Sequence, residues 1–439
     1  MSDGMVVKIR NIRNRFDEIA RHRESLRLHD EDGARKPEYL KYPLPTTPLI
    51  NTARVFGRQE ERDDVVKMMG LVQPLALGNL RCLRTLILHL NDEEENGFLY
   101  EDPDFPSFDG GDISKAERLR ALEIRGHGCR LELTGSIGNL KHLRHLSLHC
   151  FKFETLPEAI CTLYNLQRLN IEECEKLMEL PGDIGNLINL QFLSLQSTAI
   201  KKLPRSFYFL SKLKILRIMT CPLDELAEEF GNLAQLRELV FHEIEIKTVP
   251  ESICQIKELQ KLVITYCYNL MVLPRDLGEL TNLRSVQFCY TMIEFLPVSL
   301  AKLATIHTLY AVVEFSNSIS WLNDFVNLKE ILCIEGLENI NSIVDAELAD
   351  LRSKPYIREL FLSWISGTQD FIIGTSLLQV CIQENDTCMI LGEDTDILLL
   401  EALQPHSNLQ ELTIDGYRGL IFPKWNYWLH NYVISFEDL

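Results

Sequence analysis

Several features that mark other classes of protein are missing from this chain. None of its 439 residues lies in an apolar run of about 18, the length that a membrane-spanning helix needs. The 12 cysteines form no C-x-x-C pair and no zinc-like quartet, and several recur at one phase of a repeat, as small buried residues of a reducing compartment do. We expect no secretory signal peptide, because Lys8 and Arg10 interrupt the first residues. These absences favour an intracellular, cytoplasmic protein.

Basic charge and catalytic motifs are also lacking. The chain has 45 Lys and Arg against 63 Asp and Glu, a net charge of −18, whereas a general nucleic-acid binder shows a basic face. No Ser-His-Asp or Cys-His motif has a supporting context. His145, His149 and Cys150 suggest zinc, but two histidines four residues apart on a strand are ~13 Å apart. The sequence therefore predicts no enzyme, no metal, no cofactor and no nucleic-acid partner.

One pattern repeats through residues 137–310, with an aligned apolar residue about every 23 residues. The aligned positions are Leu146, Leu169, Leu193, Leu216, Leu239, Leu262, Val286, Leu309 and Ile331. A fixed period in this range with L-x-x-L-x-L in each unit is the leucine-rich-repeat signature. Amphipathic helices of a globular core would not place proline at one phase of six units, which are those of Pro157, Pro181, Pro204, Pro250, Pro274 and Pro297.

Each unit has a physical interpretation. The x-L-x-L-x segment alternates as a short strand with two core-facing residues, and the following Leu-Pro turns the chain. Apolar residues at helical spacing in residues 184–190 predict a helical segment that covers the outer side. A small polar or Cys residue five positions after the aligned residue satisfies the turn. No unit buries its apolar face alone, so stacked units share one core. We predict an α/β leucine-rich-repeat solenoid, with a curved parallel sheet inside and helices or turns outside.

The first 69 residues precede the repeats. A coiled-coil-like seam predicts a helical remnant at 1–36; it consists of Ile9, Ile12, Phe16, Ile19 and Leu26. Its arginines would suit a membrane surface, but interspersed acids favour a solvated face. Four prolines open the segment 37–69, which we interpret as a linker with a short helix. Residues 70–439 form the predicted repeat domain.

Two insertions interrupt the predicted repeats, at 91–112 and 364–397. The first holds nine acidic residues and no basic one. Their spacing matches no calcium loop, so a solvated loop is favoured. The second contains Cys381 and Cys388. The aromatic end of the chain, at 422–428, is expected to help close the core.

Four stretches are more specific than the repeat itself. They are residues 8–20, residues 336–364, Val55-Phe56-Gly57-Arg58 and Leu403-Gln404-Pro405-His406. Residues 8–20 resemble the last coiled-coil helix of plant nucleotide-binding leucine-rich-repeat immune receptors, and Val55-Phe56-Gly57-Arg58 resembles the start of their nucleotide-binding domain. Residues 336–364 and Leu403-Gln404-Pro405-His406 resemble two phrases from the repeats of that family. The resemblance implies a protein-interaction module for pathogen recognition or receptor autoregulation in the defence response. It implies a protein partner: a pathogen effector, a guarded host protein or another receptor domain.

The chain departs from this family where a phosphate loop should follow Met69. A G-x-x-x-x-G-K-[ST] motif is absent, and residues 70–79 run directly into repeats. We expect a receptor lacking its nucleotide switch and most of its coiled-coil domain. Two alternatives remain open. One is a general repeat scaffold or ubiquitin-ligase adaptor, which needs an F-box-like module that residues 1–69 do not resemble. The other is an incomplete product of an ATP- or ADP-binding resistance protein.

The candidate working surface is the solvent-facing side of the predicted sheet. Apolar residues gather there in consecutive repeats with charged residues around them, which is typical of a protein-binding patch. The candidate partner-binding residues are Phe192, Ile215, Arg217, Met219, Val240, His242, Val263 and Tyr310. We expect Phe192, Ile215, Val240 and Val263 to face solvent. The alternative is that these side chains pack against one another or against an N-terminal segment.

We predict that this chain has no measurable affinity for ATP or ADP, because it lacks the backbone amide nest and the lysine that hold the phosphates. Isothermal titration calorimetry checks this. Stoichiometric binding in the micromolar range would contradict it.

Overall fold

A computed structural model gives the architecture of the repeat region. It describes residues 83–89, 108–109, 113, 116–126, 131–132, 135–293, 296–313, 318–340, 342–364, 393–419, 421–423, 425 and 432–434. The predicted helical remnant at 1–36, the linker at 37–69 and most of the insertions at 91–112 and 364–397 lie outside these residues.

Within the described residues, fourteen strands form one parallel sheet and follow one another in it in chain order. Two further short strands pair only with each other. The strands are β1 (Thr85–His89), β2 (Phe108–Asp109), β3 (Ala121–Arg125), β4 (Leu131–Glu132), β5 (His145–His149), β6 (Arg168–Glu172), β7 (Phe192–Gln196), β8 (Ile215–Cys221), β9 (Glu238–Ile244), β10 (Lys261–Thr265), β11 (Ser285–Cys289), β12 (Thr308–Val312), β13 (Glu330–Glu335), β14 (Ile357–Ser363), β15 (Glu411–Asp415) and β16 (Tyr432–Ile434). This confirms the predicted leucine-rich-repeat solenoid.

The aligned leucines form one row through the core. Leu193 pairs in register with Leu169 on one side and Leu216 on the other, and all three are fully buried. The row is continuous because neighbouring strands pair in register, so that the same position of each repeat lies beside its counterpart in the next repeat. Stacking thus builds the core that no single repeat supplies.

The expectation that Ile331 continues this row is wrong by one residue. Leu309 pairs with Leu332, which is fully buried, whereas Ile331 is only half-buried. The sheet register shifts between Glu330 and Ile331, and Glu330 has a φ of 61°. The left-handed Glu330 adds one residue between the buried Leu328 and the next core position, so Leu332 takes the place that the L-x-x-L spacing assigns to Ile331.

Seven successive strands, β5 to β11, have a left-handed residue at or next to their last residue. In seven successive repeats this position has a φ between 50° and 59°, and none is glycine: Cys150, Glu173, Ser197, Thr220, Glu243, Tyr266 and Tyr290. The amide of Ser197, for example, donates to the carbonyl oxygen of Met219 at 2.9 Å. In six of the seven the next residue is buried, and at Cys174, Thr198, Cys221 and Cys267 it is the small polar or Cys residue that the sequence predicts. Cys174 and Cys267 each donate to the carbonyl two residues earlier at 3.4 Å.

Short helices cover the other side of the core. The 3-10 helices are Gly135–Asn139, Glu158–Thr162, Ile184–Asn186, Arg205–Phe209, Glu228–Asn232, Glu251–Gln255, Leu277–Glu279, Ser320–Asp324, Leu337–Asn339 and Leu351–Ser353. The α-helices are α1 (Val298–Ala301), α2 (Ile343–Leu348) and α3 (Glu393–Ala402). Pro157 and Pro250 stand directly before 3-10 helices. At Gly185 a Cβ would clash with the carbonyl oxygen of Ser206, so glycine permits the close stacking of helices.

The sheet continues across both insertions. β1 pairs directly with β3, and β14 pairs with β15. Trp364 is fully buried and donates its amide to the carbonyl of Asp415 at 2.9 Å. Its ring packs on Tyr417, which also contacts Phe422. Aromatic side chains therefore fill the C-terminal part of the core. Within the described residues no helix is long and apolar enough to span a bilayer.

Replacing Leu193 tests this core. Leu193→Ala should lower the free energy of unfolding by roughly 2–5 kcal/mol, because it leaves a cavity between two repeats. Leu193→Asp should cost more, because it buries a charge. Chemical denaturation measures both, with the exposed Lys202→Ala as control. An unchanged transition for Leu193→Asp would contradict the register.

Candidate functional site: the concave face of the sheet

The concave face, which is the side of the sheet opposite the short helices, carries the candidate residues. Parallel pairing places Phe192 beside Ile215, Arg217 beside Val240, and Met219 beside His242. The same register continues to Val263, opposite Val240. These residues therefore lie in columns across the strands, because the strand alternation and the repeat period together fix their positions.

A shallow pocket of about 170 Å³ lies near the start of β5 to β8. We name it the Phe192 pocket; its lining residues are His145, Gln167, Arg168, Gln191, Phe192, Lys214 and Ile215. The Arg168 guanidinium covers the Phe192 ring at 3.9 Å from its centroid, a cation–π contact. Phe192 and Ile215 are half-buried. The candidate residues taken from the sequence do not include Arg168, because the sequence alone does not show that its guanidinium lies on the Phe192 ring.

Positive charge dominates this pocket. The pKa of His145 is lowered by burial and by the charges of Arg168 and Arg144. Burial and Arg217 lower the pKa of Arg168 as well. Protonation of His145 would add a further positive charge to a site that already holds arginines, so its neutral form is favoured.

Arg217 stands beside this pocket with its charge already paired. Its Nη2 and Nε atoms donate to Oε1 of Glu238 at 2.7 and 3.0 Å. Its guanidinium carbon lies 5.8 Å from the centroid of the Phe192 ring. This half-buried ion pair fixes a charged border next to Phe192 and Ile215.

The structure corrects the expected exposure of two valines. Val240 and Val263 are 4% and 0% exposed, and with Met219 at 7% they form an apolar cluster separate from the main core. We call these three residues the valine cluster. Strands in a sheet are about 4.8 Å apart, so apolar side chains at the same phase of adjacent repeats contact one another. The alternative of mutual packing therefore describes Val240 and Val263, while Phe192 and Ile215 are only partly covered.

His242 and Tyr310 are buried as well. The His242 Nδ1 atom lies 2.8 Å from Oγ1 of Thr265, and its ring contacts Tyr266. Tyr310 packs with Cys289 and Cys333 in a second apolar cluster, and burial raises its pKa. Both residues therefore contribute to packing of the concave face and present little surface to a partner.

His149 is engaged on both ring nitrogens. Nδ1 lies 2.8 Å from Oε2 of Glu172, and Nε2 lies 2.8 Å from Oγ of Ser147. Burial acts to raise the pKa of Glu172, but hydrogen bonds from His149 and Asn170 prevail and lower it. Among the described residues no group of three His, Cys, Asp or Glu side chains is arranged to hold a metal ion.

The two kinds of apolar residue should respond differently to charge. Val240→Glu should lower the free energy of unfolding by roughly 3 kcal/mol or more, because it buries a carboxylate in the valine cluster. Ile215→Glu should cost about 1 kcal/mol or less, because water reaches that position. Chemical denaturation of both variants measures the difference. Equal transitions would contradict the burial of Val240.

Two family models match parts of the chain. One is described as R13L1/DRL21 LRRs and matches residues 319–437, and the other is a leucine-rich repeat region matching residues 173–265. A solved leucine-rich-repeat protein of Leptospira interrogans superposes with a TM-score of 0.51 and 24% identity, covering 74% of this chain and 80% of its own. This likeness supports the fold.

Relatives of known name come from plants. A putative disease resistance protein of Arabidopsis thaliana is 29% identical over 104 residues, which are 24% of this chain and 6% of that protein. Disease resistance protein RGA2 of Solanum bulbocastanum is 31% identical over 100 residues, 23% of this chain and 8% of that protein. The chain thus spans less than a tenth of these relatives, and its leucine-rich repeats are similar to those of plant disease resistance proteins.

Proposed function

We propose that this chain is a non-enzymatic protein-interaction module of a plant intracellular immune receptor, which recognises a pathogen or regulates its own receptor. The partner is a pathogen effector, a guarded host protein or another receptor domain. The repeats similar to those of disease resistance proteins support the immune role. Repeat solenoids bind partners on their extended concave surfaces, and this supports the interaction role. We place the module in the cytoplasm.

The Phe192 pocket is the observation that carries the proposal. Phe192 and Ile215 are apolar yet half-exposed, and the charges of Arg168 and the Arg217–Glu238 pair lie beside them. An apolar centre with a polar border is the usual anatomy of a protein interface. We propose Phe192, Ile215 and Arg217 as contact residues. The other five candidate residues are buried and stabilise the concave face by packing; they are Met219, Val240, His242, Val263 and Tyr310.

Affinity capture from plant cells tests this function. Tagged wild-type protein, Ile215→Glu and Gln235→Glu would be purified from leaf extract and their bound proteins quantified by mass spectrometry. A charge placed in an apolar interface centre is costly, so Ile215→Glu should lose its specific partners about tenfold or more. Gln235 is exposed in the loop before β9, so Gln235→Glu should retain them.

The identity of the lost proteins separates the candidate functions. Immune-receptor domains, defence proteins or a co-expressed effector would support the immune role, and ubiquitin-ligase subunits would support the adaptor alternative. An unchanged set of partners for Ile215→Glu would remove the Phe192 pocket as the binding site.

A further inference from the structure

The residue directly before each strand forms a second line along the sheet. In ten repeats from β1 to β12 this position holds Arg84, Arg120, Arg144, Gln167, Gln191, Lys214, Arg237, Gln260, Arg284 and His307. Each amide after Arg84 donates to the carbonyl of its counterpart in the preceding repeat, at 2.7 or 2.8 Å. The ten residues are therefore neighbours in space. We call them the basic edge.

The basic edge contains six cations and no acid, in a chain with 63 acidic residues. Arg144, Arg237 and Arg284 are exposed, and Lys214 is half-buried. Within the described part of the chain, none of the six cations makes an ion pair. Uncompensated cations in a row create a local positive potential on a protein of net charge −18.

Nearby acids on the concave face do not neutralise this row. Glu238 is bound to Arg217 at 2.7 Å, and Glu172 lies 2.8 Å from His149. These two acids are thus paired on their own face, whereas Glu330 lies 3.2 Å from His307 at the end of the edge far from Arg144 and Lys214. The positive potential of the basic edge remains available to a ligand.

The basic edge opens onto the Phe192 pocket. Gln167, Gln191 and Lys214 belong to the edge and also line the pocket, together with Arg168 and the apolar side chain of Ile215. A ligand bound here would contact the cations of the basic edge on one side and the apolar side chains of Phe192 and Ile215 on the other. This combination suits a segment that carries carboxylates next to an apolar side chain.

We infer that the basic edge recognises an acidic segment of a partner protein, with carboxylates at Arg144, Lys214 and Arg237 and an apolar side chain in the Phe192 pocket. The inference rests on the proposed function, because it names the chemistry of the partner that the concave face would bind.

A protein segment fits this site better than a nucleic acid. Single-stranded nucleic acids stack their bases on open aromatic rings, whereas Arg168 covers the ring of Phe192 at 3.9 Å. The net charge of −18 also repels a long polyanion. A short acidic segment needs only the local positive potential and gains further contact from the apolar floor.

Fluorescence anisotropy tests the inference on the full chain. The probe is a labelled synthetic peptide that alternates Asp or Glu with Leu, and a single-stranded DNA oligonucleotide of equal charge serves as competitor. The edge variant carries Arg144→Glu, Lys214→Glu and Arg237→Glu. The matched control carries Lys201→Glu, Arg205→Glu and Lys247→Glu, which are exposed positions outside the edge with the same total charge change.

A second edge variant serves as a control for misfolding of the Glu edge variant. It carries Arg144→Gln, Lys214→Gln and Arg237→Gln, and glutamine already occupies this position in three repeats. Wild type should bind the peptide with an affinity that falls as salt rises. The Glu edge variant should bind about tenfold or more weakly, the Gln edge variant should weaken in the same direction, and the control should match wild type.

Three results would overturn the inference: no binding of the peptide by wild type, equal weakening of edge and control variants, or displacement of the peptide by an equal concentration of the oligonucleotide. None of these results contradicts the proposed function, because affinity capture with Ile215→Glu tests that function separately.

Discussion

The structure depends on one constraint, which is that a single repeat cannot bury its own apolar face. Leu193 reaches full burial only because Leu169 and Leu216 flank it in adjacent strands. Amide hydrogen bonds between successive repeats fix this stacking at the start and at the end of each strand. The register therefore passes from neighbour to neighbour, and it continues across both insertions, where β1 meets β3 and β14 meets β15.

The same constraint explains which parts of the fold the sequence predicts. Leucine spacing alone identifies the core row, since side-chain direction follows from strand alternation. It fails at Ile331, because the left-handed Glu330 adds one residue before the core position Leu332, and no residue type in the sequence indicates this. The left-handed turn residues escape prediction for a related reason. Glu173 and Tyr266 adopt this conformation without being glycine, and the amide of each donates to a carbonyl oxygen of the next repeat.

The candidate site was only partly predictable. Alternation assigns Ile215 and Val240 correctly to the concave face, but it does not tell which side chains their neighbours cover. Val240 contacts Met219 and Val263 and is buried, whereas Ile215 borders a pocket. The residues before the strands are recognisable as one surface only in the structure, where hydrogen bonds between repeats align them. Arg144 alone gives no indication of this surface in the linear sequence.

We propose that the concave face binds the partner at the Phe192 pocket. The most direct measurement is photo-crosslinking in plant cells, with a photoreactive amino acid at Ile215 or, in a second protein, at Gln235. We expect the probe at Ile215 to give a discrete crosslinked partner that the probe at Gln235 does not give. Crosslinking of the same partner from Gln235 and not from Ile215 would contradict it.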